Sequence, residues 1–447
     1  MLYIPLSLIA IAVAMLLIIL SIVKFRLHTF LILIFSAYIF GIISGMPLRE
    51  VVDRICEGFS STLAAIGIVI AFGSVIGVFL EKSGGAVSIA QTIIKVVGKS
   101  RSPLAMAISG FIISIGVFCD SGFIILAPLN RALAKETKIS LATYATALSL
   151  GLYSSHTLIP PTPGPLASSE ILGADVGTVI LIGFLVALPT TIVGYLFAKY
   201  FASRYDISID TRKHHENTKS SNYTLPNPLL AILPIIVPIL LILLRSFSTM
   251  SPWIGTIPQL SNIVDFLGHP VTAMMTGMLI SFTLEKNPKQ LGQKGWIAEG
   301  FSNSAMIILI TGAGGSLGNV LRYSKLLDIV THFLLGSQLS LLLPFLISLI
   351  LKTAQGSSTV AMITTASIMQ PILGTLGLSS PIGRVLTVCS IATGSMIVSH
   401  VNDSYFWVVS QFSNMDFPTA YKTHTLGTLL TGLFSFCLVL ILGLILL

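Results

Sequence analysis

Charge is what this sequence has least of. Of its 447 residues only 9% are Asp, Glu, Lys or Arg, against 54% hydrophobic. An ordinary soluble domain carries about 25% charged residues, so there are too few here to coat a soluble fold of this length. Cysteine is scarce as well. Cys56, Cys119, Cys389 and Cys437 stand apart with no CxxC spacing, which excludes a disulfide framework or a thiolate metal site. No strand–turn–helix nucleophile elbow and no HExxH helix can be placed. No cationic stretch precedes the first apolar run, whereas Lys24 and Arg26 follow it. A cleaved signal peptide has the opposite order, so the first segment is expected to be a retained helix with its start outside. The formal net charge is +8, but the basic residues sit in short loops. They read as a topology signal rather than a nucleic-acid surface.

What the chain does have is long apolar runs. Leu6–Val23, Phe30–Ile43, Val179–Phe197, Leu229–Leu244 and Leu429–Leu447 are of a length to span a bilayer, and about twelve such segments can be drawn. The expectation is an all-α polytopic membrane protein. The longest polar stretch, 203–226, carries Arg204, Arg212, Lys213 and Lys219 and reads as a cytoplasmic linker between two halves. A weaker basic turn holds Lys286, Lys289 and Lys294.

The halves echo each other. Gly73, Gly77, Leu80 and Ser83 match Gly314, Gly318, Leu321 and Ser324, and Ser155-His156 is repeated as Ser399-His400 at nearly the same offset. Paired repeats with broken segments at matching places are an architecture of secondary transporters, with the site where the breaks meet. Candidate breaks are Gly73–Gly85, Val117–Gly122 and Ser155–Pro165 in the first half. In the second half they are Gly312–Asn319, Thr353–Thr359 and Ser399–Ser404. Unpaired backbone survives at membrane depth only inside protein or beside water. Free amides at a half-helix N-terminus suit a carboxylate, and hydroxyls suit a polyhydroxylated body. The candidate binding residues are therefore Gly73, Ser74, Ser121, Gly122, Ser155, His156, Gly314, Gly315, Gln355, Gly356, Ser357, Ser358, Thr359, His400 and Asn402. The bland alternative is that the small residues only let helices approach.

Ionisable groups inside apolar segments are costly and usually functional. Asp120, in FIISIGVFCDSGFIILAPL, is the clearest, followed by Asp403, His156 and His400. These are the proton-coupling candidates. Lys352 and Arg322 could counter an anion or could snorkel to the interface. Glu81, Glu170 and Asp175 read as segment ends.

The stretches GFSSTLAAIGIVIAFGSVIGVFLEKSGGA, FCDSGFIILAPL, SHTLIPPTPGPLASSEILGADVG, AQGSSTVAMITTASIMQPIL and SHVNDSYFW resemble the gluconate–proton symporter (GntP) family. That resemblance implies proton-coupled uptake of gluconate or a related small acid, with some members taking D-serine, across a bacterial inner membrane. It also implies two inverted repeats with re-entrant hairpins and broken helices, a homodimer built on a scaffold region, and elevator motion. The division expected is 1–56 scaffold, 57–202 first repeat, 203–226 linker, 227–300 scaffold of the second half and 301–447 second repeat. No cofactor and no metal are expected; the partners are the anion, protons and lipid. Three positions depart from the family pattern. Cys119 stands where a second phenylalanine precedes the aspartate, Thr162 where the Pro-Pro-x-Pro motif has histidine, and Tyr405 where glycine follows Asn-Asp-Ser.

Two other classes compete. An intramembrane hydrolase would use Ser399, His400 and Asp403, but a triad is defined by geometry and not by adjacency. A passive channel would need rings of like residues around a pore.

Overall fold

The computed structural model describes residues 28–207, 225–250, 258–285, 287–292, 294–323, 340–400 and 403–447, and no strand occurs among them. The readings of Leu6–Val23, Lys24, Arg26, Arg212, Lys213, Lys219, Lys286, Ser324 and Asn402 lie outside the described residues.

The helices of the first half are α1 (Thr29–Ile43), α2 (Leu48–Lys82), α3 (Gly85–Val97), α4 (Ser102–Ile113), α5 (Cys119–Thr137), α6 (Leu141–Leu158), α7 (Pro163–Leu172) and α8 (Val176–Tyr200). Next come α9 (Pro228–Met250), α10 (Pro258–Gly268) and α11 (Pro270–Ser281). The chain continues through α12 (Trp296–Tyr323), α13 (Leu342–Gln355), α14 (Ser358–Met369), α15 (Pro381–Ser395) and α16 (Ser404–Phe412). It ends with the short α17 (Phe417–Ala420), a π-helical turn Tyr421–Thr425 and α18 (Leu426–Leu446). Among the described residues, four helical segments are long and apolar enough to cross a bilayer, or five if α10 and α11, bent by 66°, form one span.

The outward faces are apolar, unlike those of a water-soluble bundle. On α8, Leu181, Leu185, Leu188, Ile192 and Leu196 face outward, as do Leu229, Leu233, Ile236, Leu240 and Leu244 on α9. Spacing by threes and fours makes each set a stripe down one helix face. In water such stripes would be a large apolar patch; against lipid tails they cost nothing. The interior keeps an apolar core but also buries many small and hydroxylated residues. Every residue of α6 is buried, including Thr143, Thr146, Ser149, Ser154, Ser155 and Thr157.

Of the six expected breaks, the one at Gly312–Asn319 is absent, and the one at Gly73–Gly85 falls at its far end, where Ser83 and Gly84 (φ +77°) separate α2 from α3. α2 runs unbroken through Gly73 and Gly77, ending only at Lys82, and α12 runs unbroken through Gly312–Asn319. The glycines there serve close approach. A Cβ on Gly58 would collide with the Gly315 carbonyl, one on Gly315 with Thr62, and one on Gly312 with the Phe59 ring. A glycine inside a helix costs roughly 1 kcal/mol relative to alanine, which tight α2–α12 packing offsets.

The remaining breaks are real. Ser114–Phe118 separates α4 from α5, and Ile159–Thr162 separates α6 from α7, where Pro160, Pro161 and Pro163 forbid a continuous helix. Gly356, at φ +87°, turns the chain between α13 and α14, a left-handed conformation that glycine adopts without a Cβ penalty. The fourth break lies between Ser395 and Ser404. Packing follows the same order in both halves. α4 packs on α6 as α13 packs on α15, and α6 packs on α8 as α15 packs on α18; across the halves, α7 meets α14 and α16 meets α5.

Candidate functional site

Three of the breaks and the end of α6 meet around one cavity of about 280 Å³, near the lower end of small-molecule pockets, roughly 300–1,000 Å³. Phe118, Cys119 and Asp120 enter it from the start of α5, and Ser357, Ser358, Thr359 and Val360 from the start of α14. Asp403, Ser404 and Tyr405 enter from the start of α16, and Tyr153 and His156 from the last turns of α6. Met306, Ile307 and Ile310 of α12 form an apolar wall. Three helix N-termini thus open onto one space. Their first-turn amides lack intrahelical partners and carry partial positive charge.

Each N-terminus has its own local device. Ser357 caps α14 by accepting from the Val360 amide at 3.3 Å, and Asp403 caps α16 by accepting from the Tyr405 amide at 3.0 Å. Asp120 lies in the first turn of α5; Ser404 Oγ donates to its Oδ2 at 3.2 Å, while its Oδ1 is buried with no hydrogen-bond partner.

Asp403 is held very differently. Lys352 Nζ lies 2.5 Å from Asp403 Oδ2, with side-chain exposures of 1% and 6%, so this pair is almost wholly buried. The same ammonium donates to the Gly356 carbonyl at the hairpin turn. Ser399 Oγ also donates to Asp403 Oδ2, at 2.5 Å. Behind Ser399 stands His424, fully buried, with Nε2 at 3.0 Å from Ser399 Oγ and Nδ1 at 3.3 Å from Ser149 Oγ.

The structure distributes the predicted residues unevenly. Asp120, His156, Ser357, Ser358, Thr359 and Asp403 line the one cavity. Gly356 does not line it, and its carbonyl accepts from Lys352. Ser121 and Gly122 follow Asp120 along α5, with Gly122 against Leu152 of α6. Ser155 turns its hydroxyl back to the Leu152 carbonyl at 3.3 Å. The two Ser-His dipeptides part company: α6 continues to Leu158 and aims His156 at the cavity, whereas α15 has already ended at Ser395. His400 bonds the Thr353 carbonyl at 3.0 Å instead. Gln355 closes α13.

Gly73 and Ser74 line a separate, narrow space of about 30 Å³ with Thr162, which meets the cavity only at Phe118. Gly314 packs on Ile363 of α14, and Gly315 borders a groove with Glu170 and Asn319. Of the three departures, Cys119 and Tyr405 face the cavity and Thr162 does not. Tyr405 donates from its hydroxyl to the Ser149 carbonyl at 2.9 Å and packs its ring on Tyr153.

His424 escaped sequence reading because it follows Lys422 in a run that looks like an ordinary helix start. From sequence Lys352 could either counter an anion or snorkel to the interface, yet it is among the most buried side chains here. The Ser, His and Asp that do meet are Ser399, His424 and Asp403, but the carboxylate receives the serine proton rather than orienting the histidine. That is not the order of a hydrolytic triad, and Ser399 is absent from the cavity lining. Gly314–Gly318 has the spelling GxSxG, yet it lies mid-helix with Ser316 donating to the Ile55 carbonyl at 2.9 Å.

A family model described as GntP family permease matches residues 4–445. The chain belongs to that family. As a GntP permease it is a multi-pass protein of the bacterial inner membrane. It is 32% identical over 434 residues to a gluconate permease of Pseudomonas aeruginosa, covering 95% of both chains. It is 30% identical over 425 residues to the D-serine transporter DsdX of Escherichia coli K12, covering 94% of both. Among solved structures it is similar to MtrF of Neisseria gonorrhoeae, from a class of antimetabolite efflux pumps, with TM-score 0.67 and 14% identity over 94% of this chain and 96% of that one. That likeness concerns the fold alone.

Proposed function

We propose that this permease is a proton-coupled carrier of a gluconate-like sugar acid or a related small hydroxy acid. The observation that carries the reading is the convergence of three helix N-termini on a cavity whose lining includes the hydroxyl-bearing Tyr153, Ser357, Ser358, Thr359, Ser404 and Tyr405. Amides suit the carboxylate and hydroxyls suit the polyol, while the other polar groups of the lining are Asp120, His156 and Asp403, with the Cys119 thiol. The names of its relatives, gluconate permease and D-serine transporter, fall in the same chemical class. An amino acid is the second reading, favoured by one feature: the unpartnered oxygen of Asp120 would accept from an ammonium group.

The proton carriers we propose are drawn from Asp120, Asp403, His156 and His400. The helices form two inverted repeats in this reading, supported by the matched packing of α4–α8 and α13–α18. The repeats ride on a scaffold within a homodimer and move in an elevator fashion, as the resemblance implies. The chain catalyses no covalent chemistry.

The test is counterflow. Proteoliposomes loaded with unlabelled gluconate should draw in labelled gluconate transiently above equilibrium, and a panel of sugar acids and D-serine should compete in rank order. Absence of counterflow with every member of the panel would end the proposal.

A further inference from the structure

The two carboxylates at the cavity differ in how their charge is met. Asp403 accepts from Lys352, from Ser399 and from the Tyr405 amide, all donors. A carboxylate so surrounded is complete as an anion and has no call for a proton. Lys352 in turn is fully used: it has Asp403, the Gly356 carbonyl and the face of Tyr153 at 5.7 Å, and it does not line the cavity. The pair is neutral as a unit and offers no positive charge to a ligand.

Asp120 has one serine hydroxyl and a bare oxygen. His156 is the other ionisable group there able to turn positive. Its ring packs edge-on against Phe118 and its Nδ1 has no hydrogen-bond partner. The remaining titratable groups around Asp120 are Cys119 on its own helix and Tyr153 and Tyr405 across the cavity. Glu81 of α2 lies toward Ser121.

An anion entering this space therefore meets one uncompensated negative charge and no free cation among the described residues. Two like charges in a low-dielectric cavity repel strongly. Removing the charge of Asp120 removes the conflict. We propose that Asp120 sets the charge the site accepts: it is protonated whenever a monoanion occupies the cavity, and so carries one proton with each singly charged acid. Asp403 and Lys352 are the positioning pair that keeps this role from being shared. Anion and proton then raise each other's affinity by the same factor. The inference rests on the carrier reading and names its coupling residue.

The test is the pH dependence of gluconate binding to the purified, full-length protein, with thermal unfolding as the check on folding. The wild type should lose affinity as pH rises, by up to about tenfold per unit once Asp120 ionises, because one proton is linked to one anion. Asp120→Asn mimics the protonated side chain and should bind gluconate with no such slope. His156→Gln should keep the slope whatever its effect on affinity. Asp120→Glu should keep the slope with a displaced midpoint, which covers failure of the Asn variant to fold. A wild-type slope in folded Asp120→Asn, or its loss in folded His156→Gln, would overturn the assignment. Failure of the wild type to bind any acid of the panel would instead count against the carrier reading itself.

Discussion

Lys352 and Asp403 form a buried ion pair that joins the turn between α13 and α14 to the start of α16. One residue closes the hairpin and the other opens the broken helix, so the pair fixes the distance between two of the three N-termini at the cavity.

Breaking that pair from one side should be worse than removing it. Lys352→Met leaves a buried, unpaired carboxylate and is expected to cost about 3–5 kcal/mol, whereas the double variant Lys352→Met/Asp403→Leu should regain much of the loss. Thermal unfolding in detergent reads this as a lower midpoint for the single variant than for the double. The reverse order would mean that the pair contributes little beyond packing.

Glycines on α2 should divide sharply by what faces them. Gly58→Ala places a methyl against the Gly315 carbonyl, while Gly67→Ala has no atom nearer than 3.9 Å. The first should destabilise by about 1–3 kcal/mol as overpacking; the second should be neutral or slightly stabilising. Expression level and unfolding midpoint of the two variants, compared side by side, decide it.

His424 should matter to stability more than to substrate affinity. It contacts Ser149 and Ser399 and is absent from the cavity lining. His424→Phe leaves those two hydroxyls short of a partner, at a cost of about 1–3 kcal/mol, with the KM of transport changed less than threefold. A large KM change at unaltered unfolding midpoint would place His424 in the site itself.

Ser358→Ala should do the opposite. Ser358 lines the cavity at the start of α14 and is not the capping residue, which is Ser357. Loss of one neutral hydrogen bond to substrate, about 0.5–1.5 kcal/mol, should raise KM roughly two- to tenfold without lowering the unfolding midpoint.

These residues also mark how far the sequence could be read. Breaks that depend on chemistry were legible: proline cannot continue through Pro160–Pro163, and the run TAQGSST combines a turn-forming glycine with a serine cap. Asp120 and Asp403 were legible because charge amid apolar neighbours is costly. The glycines at 73 and 312 misled, because the same residue that breaks a helix also lets two unbroken helices touch. Ser155-His156 and Ser399-His400 are alike as letters, yet α15 ends sooner than α6, so one histidine reaches the cavity and the other a backbone carbonyl. Nothing in spacing could have joined His424 to Ser399. That contact depends on how the π-helical turn before α18 packs against the chain leaving α15.

The central claim is that this permease couples a proton to the entry of a small acid, and one measurement tests it most directly. Proteoliposomes with an acid exterior and a neutral interior are given labelled gluconate with and without a protonophore. The account predicts accumulation above the outside concentration that the protonophore abolishes. Uptake that stops at equilibrium, indifferent to the protonophore, would contradict it and leave a passive pathway through the same cavity.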